Sequence, residues 1–413
     1  MSRNIFSILL IYIHAFFLSV GNSTLSPTVG NIPILDIFLL IYLLINFKSI
    51  SITSIYIRDI LLVLALFVFV SFSSTVINSY FFYNTAIDNS FTFLRYISYA
   101  LILFVYFDFL ENNPAHFKYL LITFLFGILS LVVLDIYVAN QISNYNFFTD
   151  YGRYIFSQKY AQEEFCFNTF FCHKLINVNT LSSYIGIVSF LIFGLIFKND
   201  QYHNLLLKII LFFFIFIFIF ISVGLGQKTA YIPYFVLSII SLIYFIYYVL
   251  IKNYSFIKII VSVMILLFIY SFFAEEIFHI YNTMYYRTFE DGRISSFVTR
   301  YSFAADAINL ISNPVSLFIG NGKDAYHFAK GINDPHNINA QLLLETGLIG
   351  FILYSYIIFQ LIRHSYKYSI FFAINFIIMY FIMSNANGLA FQSHTAWISF
   401  TFILYLGTRK REF

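Results

Sequence analysis

The chain has 413 residues, of which 60% are hydrophobic and only 10% are charged, and its formal net charge is +4. Soluble globular domains carry about a quarter charged residues, so this composition excludes an ordinary soluble protein. Apolar runs of roughly 20 residues recur along the whole length, which predicts an all-α polytopic membrane protein. We expect membrane lipid around it and no nucleic-acid partner.

The apolar runs predict about twelve transmembrane helices in one domain that covers residues 1–413. They lie at roughly 5–20, 33–47, 59–77, 91–110, 119–138, 179–197, 209–225, 230–251, 256–274, 346–362, 369–385 and 395–408. Residues 1–21 also fit a cleaved signal peptide loosely. A retained first helix is favoured, because it completes the charge pattern described next.

Lysines and arginines predict the orientation, because cytoplasmic connections of membrane proteins are enriched in both residues. The short connections around 21–32, 78–90 and 386–394 contain neither residue and are assigned to the outer side. Both termini are therefore expected in the cytoplasm. The basic residues that then fall on the cytoplasmic side are Arg3, Lys48, Arg58, Lys118, Lys198, Lys208, Lys252, Lys258, Arg363, Lys367, Arg409, Lys410 and Arg411.

Two outer connections are long, at about 139–178 and about 275–335. The first contains Cys166 and Cys172, the only cysteines in the chain. On the outer side these cysteines could form a disulfide or remain two free thiols, and both alternatives stay open. The second connection has a helical pattern over 298–312 that should stop before Asn313-Pro314, so we expect short helices in this loop.

A glycine turn and a histidine follow in the second long loop. The turn Gly320-Asn321-Gly322 is by itself only weak evidence for phosphate binding. Asp334 and Pro335 fit the N-cap and the first position of a helix, which would place His336 in its first turn. The positive end of the helix dipole and nearby arginines favour a neutral imidazole there, as a general base requires. The alternative is a polar loop histidine without a task.

Glu345 follows His336 by nine residues. On one unbroken helix this spacing directs the two residues to roughly opposite faces. Glu345 is therefore expected to form structural hydrogen bonds rather than to orient His336, with Asn337 as a second supporting residue.

Several cations are candidates for binding an anionic group. Arg293 and Arg300 are seven residues apart and share a face if both are helical, and the arginine fork suits phosphate. The alternative is solvated loop charge. Lys228 lies in a very short outer turn, against the charge bias, which indicates an anionic partner. Arg95, near the outer end of its span, invites the same argument.

The remaining titratable residues give no clear pattern. Asp36 and Asp135 lie in or near spans and could be counter-ions to these cations or simple caps. His14, His203 and His364 fall in or on the cytoplasmic half and are expected to be structural. No metal-ligand spacing is present in the sequence, so we expect neither a metal nor another cofactor.

The late part of the chain resembles the O-antigen ligase and O-antigen polymerase superfamily of bacterial envelope biosynthesis. The similarity lies in a glycine turn followed by a D-P-H-N motif, an acidic residue and two glycines. The residues that carry it are Thr299, Arg300, Gly320, Asn321, Gly322, Asp334, Pro335, His336, Asn337, Leu343, Glu345, Gly347 and Gly350. Members of this family usually have a serine-arginine pair at the short outer turn, where this chain has Gln227-Lys228.

This resemblance implies a metal-independent membrane glycosyltransferase of the bacterial inner membrane, with its active site on the periplasmic side. The donor would be a polyprenyl-diphosphate-linked oligosaccharide, and a chain-length regulator protein is a candidate partner. His336 would be the catalytic base, and Arg300, Arg293 and Lys228 would bind the diphosphate, with Asn337, Glu345 and Arg95 in support.

Three functions are weighed on this basis. An O-antigen polymerase, which would transfer the growing chain to a sugar hydroxyl of another lipid-linked repeat unit, is the leading interpretation. An O-antigen ligase has the same chemistry with lipid A–core as the acceptor. A flippase or other transporter of lipid-linked oligosaccharides would be expected to show internal repeats and charges near the bilayer midplane, and neither is seen.

Overall fold

The computed structural model describes residues 3–18, 28–29, 32–47, 55–81, 94–143, 164–166, 172–174, 176, 178–196, 205–225, 228–251, 282, 294–322, 325–330, 337–386 and 393–409. This part of the chain is built mainly from α-helices. They are α1 (Arg3–Leu18), α2 (Ile37–Asn46), α3 (Ile55–Phe81), α4 (Leu94–Asn112), α5 (Phe117–Ser143), α6 (Val178–Ile196), α7 (Leu205–Leu225), α8 (Lys228–Ile251), α9 (Ile294–Asn309), α10 (Pro314–Ile319), α11 (Ala325–Lys330), α12 (Ile338–Tyr368), α13 (Ile370–Ala386) and α14 (His394–Arg409).

Short elements complete the described part. Two 3-10 turns, Ile34–Asp36 and Pro114–His116, lead into α2 and α5. Strands β1 (Thr28–Val29) and β2 (Ile32–Pro33) form one antiparallel hairpin, and β3 (Glu164–Cys166) and β4 (Cys172–Lys174) form a second. The second hairpin places Cys166 and Cys172 directly opposite each other in register.

The predicted helical character of the chain is confirmed. Eleven of the predicted spans coincide with a helix, and the span 256–274 lies outside the described residues. Among the described residues, 3 helical stretches are long and apolar enough to cross a membrane, Ile57–Ile77, Pro114–Ile142 and Ile338–Tyr368, beside several shorter apolar helices. The fold is therefore that of a helical membrane protein, and the number of twelve spans stays a prediction.

Helix α7 illustrates how an entirely apolar segment still has two different faces. Its phenylalanines Phe214 and Phe218 are fully buried, whereas Phe212 and Phe216 are exposed. The buried pair and the exposed pair each repeat every four residues, which is the spacing of one helix face. In a membrane the exposed face meets lipid at no hydrophobic cost, so both faces can be apolar.

Helix α12 is the centre of the part that positions the site. It packs against α3, α13 and α14, and α14 in turn packs against α4. Helices α9, α10 and α11 of the second long loop also contact α12. Ala307, Ala325 and Tyr326 from these loop helices bury a small second core with Ala340 and Leu344 of α12. The loop is therefore anchored on the first turns of α12.

The predicted loop helix is found, with shifted bounds. Helix α9 covers Ile294–Asn309 instead of 298–312. It stops early because Asn313 starts the next helix as an N-cap, with its side chain accepting a hydrogen bond from the Ser316 amide at 2.8 Å. Ser316 donates its hydroxyl to the Asn313 carbonyl at 2.9 Å. This local capping fixes the boundary that the Asn-Pro pair indicated.

Candidate functional site

The start of α12 differs from the sequence-based prediction. Asn337, not Asp334, is the N-cap, and its side-chain oxygen accepts a hydrogen bond from the Ala340 amide at 3.0 Å. His336 therefore precedes the N-cap rather than occupying the first turn. Asp334, Pro335 and His336 themselves lie outside the described residues. The prediction failed because an asparagine three residues later is an equally good cap.

Asn337 also ties two helices together. Its side-chain amide donates a hydrogen bond to the Asn385 side-chain oxygen in the last turn of α13, at 2.9 Å. Two residues on, Tyr380 of α13 donates its hydroxyl to the Asn339 side chain at 3.3 Å. The residue that follows His336 is therefore fixed from two directions, by its own helix and by α13.

Helix α12 is broken at Gly347, which has φ 65° and ψ −170°. The break leaves carbonyl groups of the preceding turn without their usual helical donors. The carbonyl of Leu344 accepts from the Asn321 amide at 2.6 Å. The carbonyl of Glu345 accepts from the Gly322 amide at 3.0 Å and from the Ser74 hydroxyl of α3 at 2.7 Å. Such replacement donors are what permit a broken helix inside a membrane protein.

The glycine turn 320–322 thus has a structural task that the sequence did not indicate. The amides of Asn321 and Gly322 already bind carbonyls of α12, so these two groups cannot also bind a phosphate. Gly320 has φ 90°, and a Cβ there would lie 2.5 Å from the Thr346 amide nitrogen. The weak indication of phosphate binding at this turn was therefore wrong for these two amides.

Glu345 lies in the same buried layer. Its side chain accepts a hydrogen bond from the side-chain amide of Gln341, one turn earlier in α12, at 3.0 Å. Its backbone carbonyl is the group that Gly322 and Ser74 share. The residue is 3% exposed, so it works from inside the protein rather than at the surface.

Helical spacing places position 300 of α9 on the face that also contains Ala304 and Ala307. Ala307 is fully buried in the small core that α9 forms with α12. The backbone of Arg300 is therefore on the side of α9 that turns toward the start of α12. Its side chain and the whole of Arg293 lie outside the described part.

Lys228 is the first residue of α8, immediately after the short turn predicted from the sequence. Tyr244 of α8 contacts Phe371 of α13 with ring centroids 4.4 Å apart. A helix rises about 1.5 Å per residue, so Lys228 lies about 24 Å from this contact along α8. Asn385 lies about 21 Å from the same contact along α13. Gly194 of α6 lies against Phe372 and Phe190 contacts Phe376, so α6 and α13 are antiparallel. Tyr234 of α8 donates to the Ile185 carbonyl of α6, whereas Tyr244 lies beside Phe371, so α8 runs antiparallel to α13 and the backbone of Lys228 is on the side of the Asn337–Asn385 bridge.

Helices α4 and α14 bring further polar residues to this same end. Ser98 of α4 contacts His394 of α14, and Phe107 contacts Tyr405 further along, so the two helices run in parallel. Helix α13 ends at Ala386 and α14 begins at His394, and Phe376 and Phe400 contact each other on the two sides of this short connection, so α13 is antiparallel to α14. The first turns of α4, α8, α12 and α14 thus share one end of the bundle. Arg95 lies in the first turn of α4; its side chain is outside the described part.

A buried polar cluster occupies the α4–α14 side of this end. Asp36 accepts hydrogen bonds from His14 at 3.2 Å and from Ser98, and His394 lies 3.6 Å from its second oxygen. The opposite nitrogen of His14 is 2.8 Å from the Tyr106 hydroxyl. This contact is at odds with the predicted position of His14 in the cytoplasmic half, because its partner Asp36 lies four residues after a connection that was assigned to the outer side.

The other acidic and histidine residues have local tasks. Asp135 accepts a hydrogen bond from the Ile176 amide at 2.8 Å and so joins α5 to the start of α6. His364 is buried and its Nδ1 is 2.8 Å from the Gln360 carbonyl. His203 lies outside the described residues. In the described part of the chain, no group of three histidine, cysteine or acidic side chains is arranged to hold a metal ion.

Sequence reasoning missed three residues at this end: Ser98, Asn385 and His394. The signal for His394 was available, because it is the last residue of an outer connection without lysine or arginine and directly precedes an apolar run. Ser98 and Asn385 gave no such signal, since single polar residues near span ends are common and their partners are remote in sequence.

The architecture defines a helical membrane protein with a broken helix that is held by a loop at one end of the bundle. Residues 220–355 match the protein family described as O-antigen ligase. This match confirms the predicted resemblance to the O-antigen ligase and polymerase superfamily over about a third of the chain. No curated protein sequence matches the chain.

Proposed function

We propose that this protein is an O-antigen polymerase. It would transfer a glycan from a polyprenyl-diphosphate carrier to a sugar hydroxyl of another lipid-linked repeat unit. The reaction would take place at the periplasmic side of the bacterial inner membrane, with both termini in the cytoplasm. A chain-length regulator protein is the macromolecular partner that such a reaction invites.

The observation that supports glycan transfer from a lipid carrier, the chemistry that polymerase and ligase share, is the family match over residues 220–355. This segment begins before Lys228 and ends after Gly350, so it contains nearly every residue singled out for chemistry from the sequence. Its glycine turn and its broken helix form one packed unit, joined by the bonds from Asn321 and Gly322 to α12. Arg95 lies outside the segment.

The proposed chemistry follows from the charges of the candidate residues. His336 takes the proton from the acceptor hydroxyl, whose oxygen forms a bond to the anomeric carbon of the donor glycan. The bond from that carbon to the diphosphate oxygen breaks, and the electron pair stays on the diphosphate. Arg300, Arg293 and Lys228 stabilise this developing negative charge, which is the contribution that most favours such a reaction. The mechanism needs no metal.

Location at one end of the helix bundle supports a common site. The backbone of Lys228 is on the side of the Asn337–Asn385 bridge, and position 300 is on the face of α9 that turns to α12. Cations near apolar helices are stabilised when they face a wet cavity or an anionic partner. A diphosphate headgroup at the membrane interface is such a partner, and its prenyl chain can lie between the apolar helices.

An O-antigen ligase, with lipid A–core as the acceptor, is the second candidate, and the description of the matching family favours it. The two functions share donor, leaving group and base, so the residues of the site serve either one. They differ only in the acceptor that reaches the site.

Deleting the gene and separating the surface polysaccharide on a gel tests the proposal. A polymerase deletion leaves core carrying one repeat unit. A ligase deletion leaves bare core, with long chains accumulating on the lipid carrier. Unchanged polysaccharide after deletion, with no lipid-linked intermediate accumulating, would overturn both candidates, and restoration by the wild-type gene is the control.

A further inference from the structure

The cluster around Asp36 allows each proton to be assigned from its hydrogen-bond partners. A carboxylate only accepts hydrogen bonds, so His14 Nε2 carries the proton that it donates to Asp36 Oδ1. His14 Nδ1 is then free to accept from the Tyr106 hydroxyl. Ser98 donates its single hydroxyl proton to Asp36 Oδ2. The side chain of Asp36 is thus held by two donors.

This assignment fixes the tautomer of neutral His394. Ser98 has already given its proton to Asp36, so its oxygen can only accept from His394 Nε2, 2.8 Å away. The proton of the ring is therefore on Nε2, and Nδ1 keeps an unshared electron pair. Among the described residues, none forms a hydrogen bond with Nδ1. The imidazole thus presents a hydrogen-bond acceptor on the side that faces away from the cluster.

The surroundings keep the ring in this orientation. Tyr99 contacts the His394 ring edge-to-face, with centroids 5.2 Å apart, and stacks on Trp397 at 5.4 Å. Tyr99 is fully buried, and Trp397 is 3% exposed. The His394 side chain keeps 13% of its surface exposed, whereas Asp36 keeps 2%. Only the histidine of this cluster can therefore be reached from outside.

A continuous set of aromatic side chains links His394 to the start of α12. Tyr99 contacts Tyr96 with centroids 5.8 Å apart. Phe67 contacts both Tyr96, at 5.1 Å, and Tyr354, at 6.2 Å. Tyr380, which interacts with Tyr354, donates to Asn339 in the first turn of α12. The two regions are therefore connected through directly packed side chains.

We propose that His394 binds a hydroxyl group of the acceptor glycan through Nδ1, with Ser98 and Asp36 as positioning residues that hold its tautomer and orientation. The acceptor role rests on the proposed glycan transfer. A hydroxyl can donate to Nδ1, whereas a fully ionised diphosphate cannot. The Asp36 carboxylate, 3.6 Å from the ring, also repels an anion. The geometry therefore selects the acceptor sugar over the donor diphosphate.

Two substitutions at one position separate the two ring nitrogens. His394→Gln places an amide near Nε2, so the bond to Ser98 is retained and the Nδ1 acceptor is lost. His394→Asn places an amide oxygen near Nδ1 and loses the bond to Ser98. The assay uses purified protein, lipid-linked donor and a soluble oligosaccharide acceptor, either one repeat unit or core, whichever the wild type accepts. This acceptor has no diphosphate and cannot serve as donor.

We expect His394→Gln to raise the KM for the soluble acceptor roughly tenfold, the effect of one lost hydrogen bond, with the donor KM within about twofold of wild type. His394→Asn should raise the acceptor KM less. An acceptor KM within about twofold of wild type for His394→Gln, or a rise in the donor KM instead, would overturn the proposal.

The positioning role of Ser98 and Asp36 is tested by the acceptor KM of single and double variants. Ser98→Ala should raise the acceptor KM by a few fold alone and have no further effect in the His394→Gln background, because it acts through His394. Asp36→Asn should behave in the same way. Asp108→Asn is the matched control, since Asp108 lies on the same helix as Ser98 and accepts from Tyr42 at 2.9 Å. Additive effects of Ser98→Ala and His394→Gln would contradict the positioning role.

Failure of this inference is distinguishable from failure of the proposed function. If the wild-type protein transfers no glycan to either soluble oligosaccharide or to lipid-linked acceptors, the proposed function fails. If the wild type transfers glycan while His394→Gln keeps a normal acceptor KM, only the role of His394 fails. Thermal unfolding of each variant in detergent shows whether Asp36→Asn folds, and Ser98→Ala carries the test if it does not.

Discussion

Gly320 and Gly347 lie against each other's backbone segments. A Cβ at Gly347 would lie 2.6 Å from the Gly320 amide nitrogen, and a Cβ at Gly320 would overlap the Glu345 carbonyl. Both glycines have positive φ with ψ near 180°, a region that is essentially restricted to glycine. The glycine turn and the break in α12 are therefore one structural unit.

We predict that Gly347→Ala and Gly320→Ala each destabilise the protein by about 1–3 kcal/mol from the backbone alone, with steric overlap added. Thermal unfolding in detergent, followed by size-exclusion chromatography, measures the loss. Ile349→Ala is the control, since Ile349 is exposed on the same helix. Alanine variants that unfold at the wild-type temperature would show that the turn and the break are not coupled.

Asn337 has two tasks that can be separated. Asn337→Ser should keep the helix cap, because serine caps helices well, and should lose the bond to Asn385, which the shorter side chain cannot reach. Asn337→Ala should lose both and cost about 1 kcal/mol more. In an Asn385→Ala background the effect of Asn337→Ser on thermal unfolding should disappear. A serine effect of unchanged size in that background would exclude the bridge as its cause.

His336→Ala should abolish glycan transfer while insertion and expression stay normal, because the proposed base is removed without a change in the packed helices. The measurement is transfer by the purified variant beside its yield from membranes. His116→Ala, at the opposite end of α4, is a control in which a histidine hydrogen-bonded to Tyr12 is lost. Near-normal transfer by His336→Ala would remove this residue as the base.

Arg300→Lys should be nearly as damaging to transfer as Arg300→Ala. Lysine keeps the charge and loses the two-pronged hydrogen bonding that suits a diphosphate. The measurement is the rate of transfer by each purified variant. Arg363→Lys, on the exposed face of α12, is the control and should leave activity unchanged. If the Arg300→Lys variant regains most of the activity that Arg300→Ala loses, Arg300 contributes only diffuse charge.

Transfer should proceed in the presence of a chelator, because the proposed stabilisation of the leaving diphosphate comes from arginine and lysine side chains. The measurement compares initial rates with and without EDTA, and with magnesium added back after chelation. Complete loss in EDTA with recovery on magnesium would contradict the metal-independent mechanism.

The class of the protein and the position of most helices were predictable from local patterns in the sequence. Burial of apolar side chains and the spacing of basic residues are local signals, so they can be read segment by segment. The end of α9 near Asn313-Pro314 is a local signal too, since the cap bonds span only three residues. The family resemblance over the late part of the chain was also readable, because its motif is contiguous.

The contacts of those motif residues depend on how distant segments fold together. The amides of Asn321 and Gly322 looked available for phosphate, yet carbonyls more than 20 residues away in sequence accept from them. The start of α12 depended on a choice between two good caps, Asp334 and Asn337, which lie three residues apart. With Asn337 as the cap, its side chain can also bond to Asn385 in α13, and no local sequence pattern indicates that bond.

The polar cluster around Asp36 is a second example of contacts that the sequence did not indicate. Asp36, Ser98 and His394 are separated by 62 and 296 residues, and each alone looks like an ordinary polar residue near a span end. Their pairing depends on helices α4 and α14 running in parallel with their first turns side by side. Hydropathy determines that each helix exists, but the free energy that selects neighbours comes from packing and buried hydrogen bonds between them, and these are properties of the folded chain.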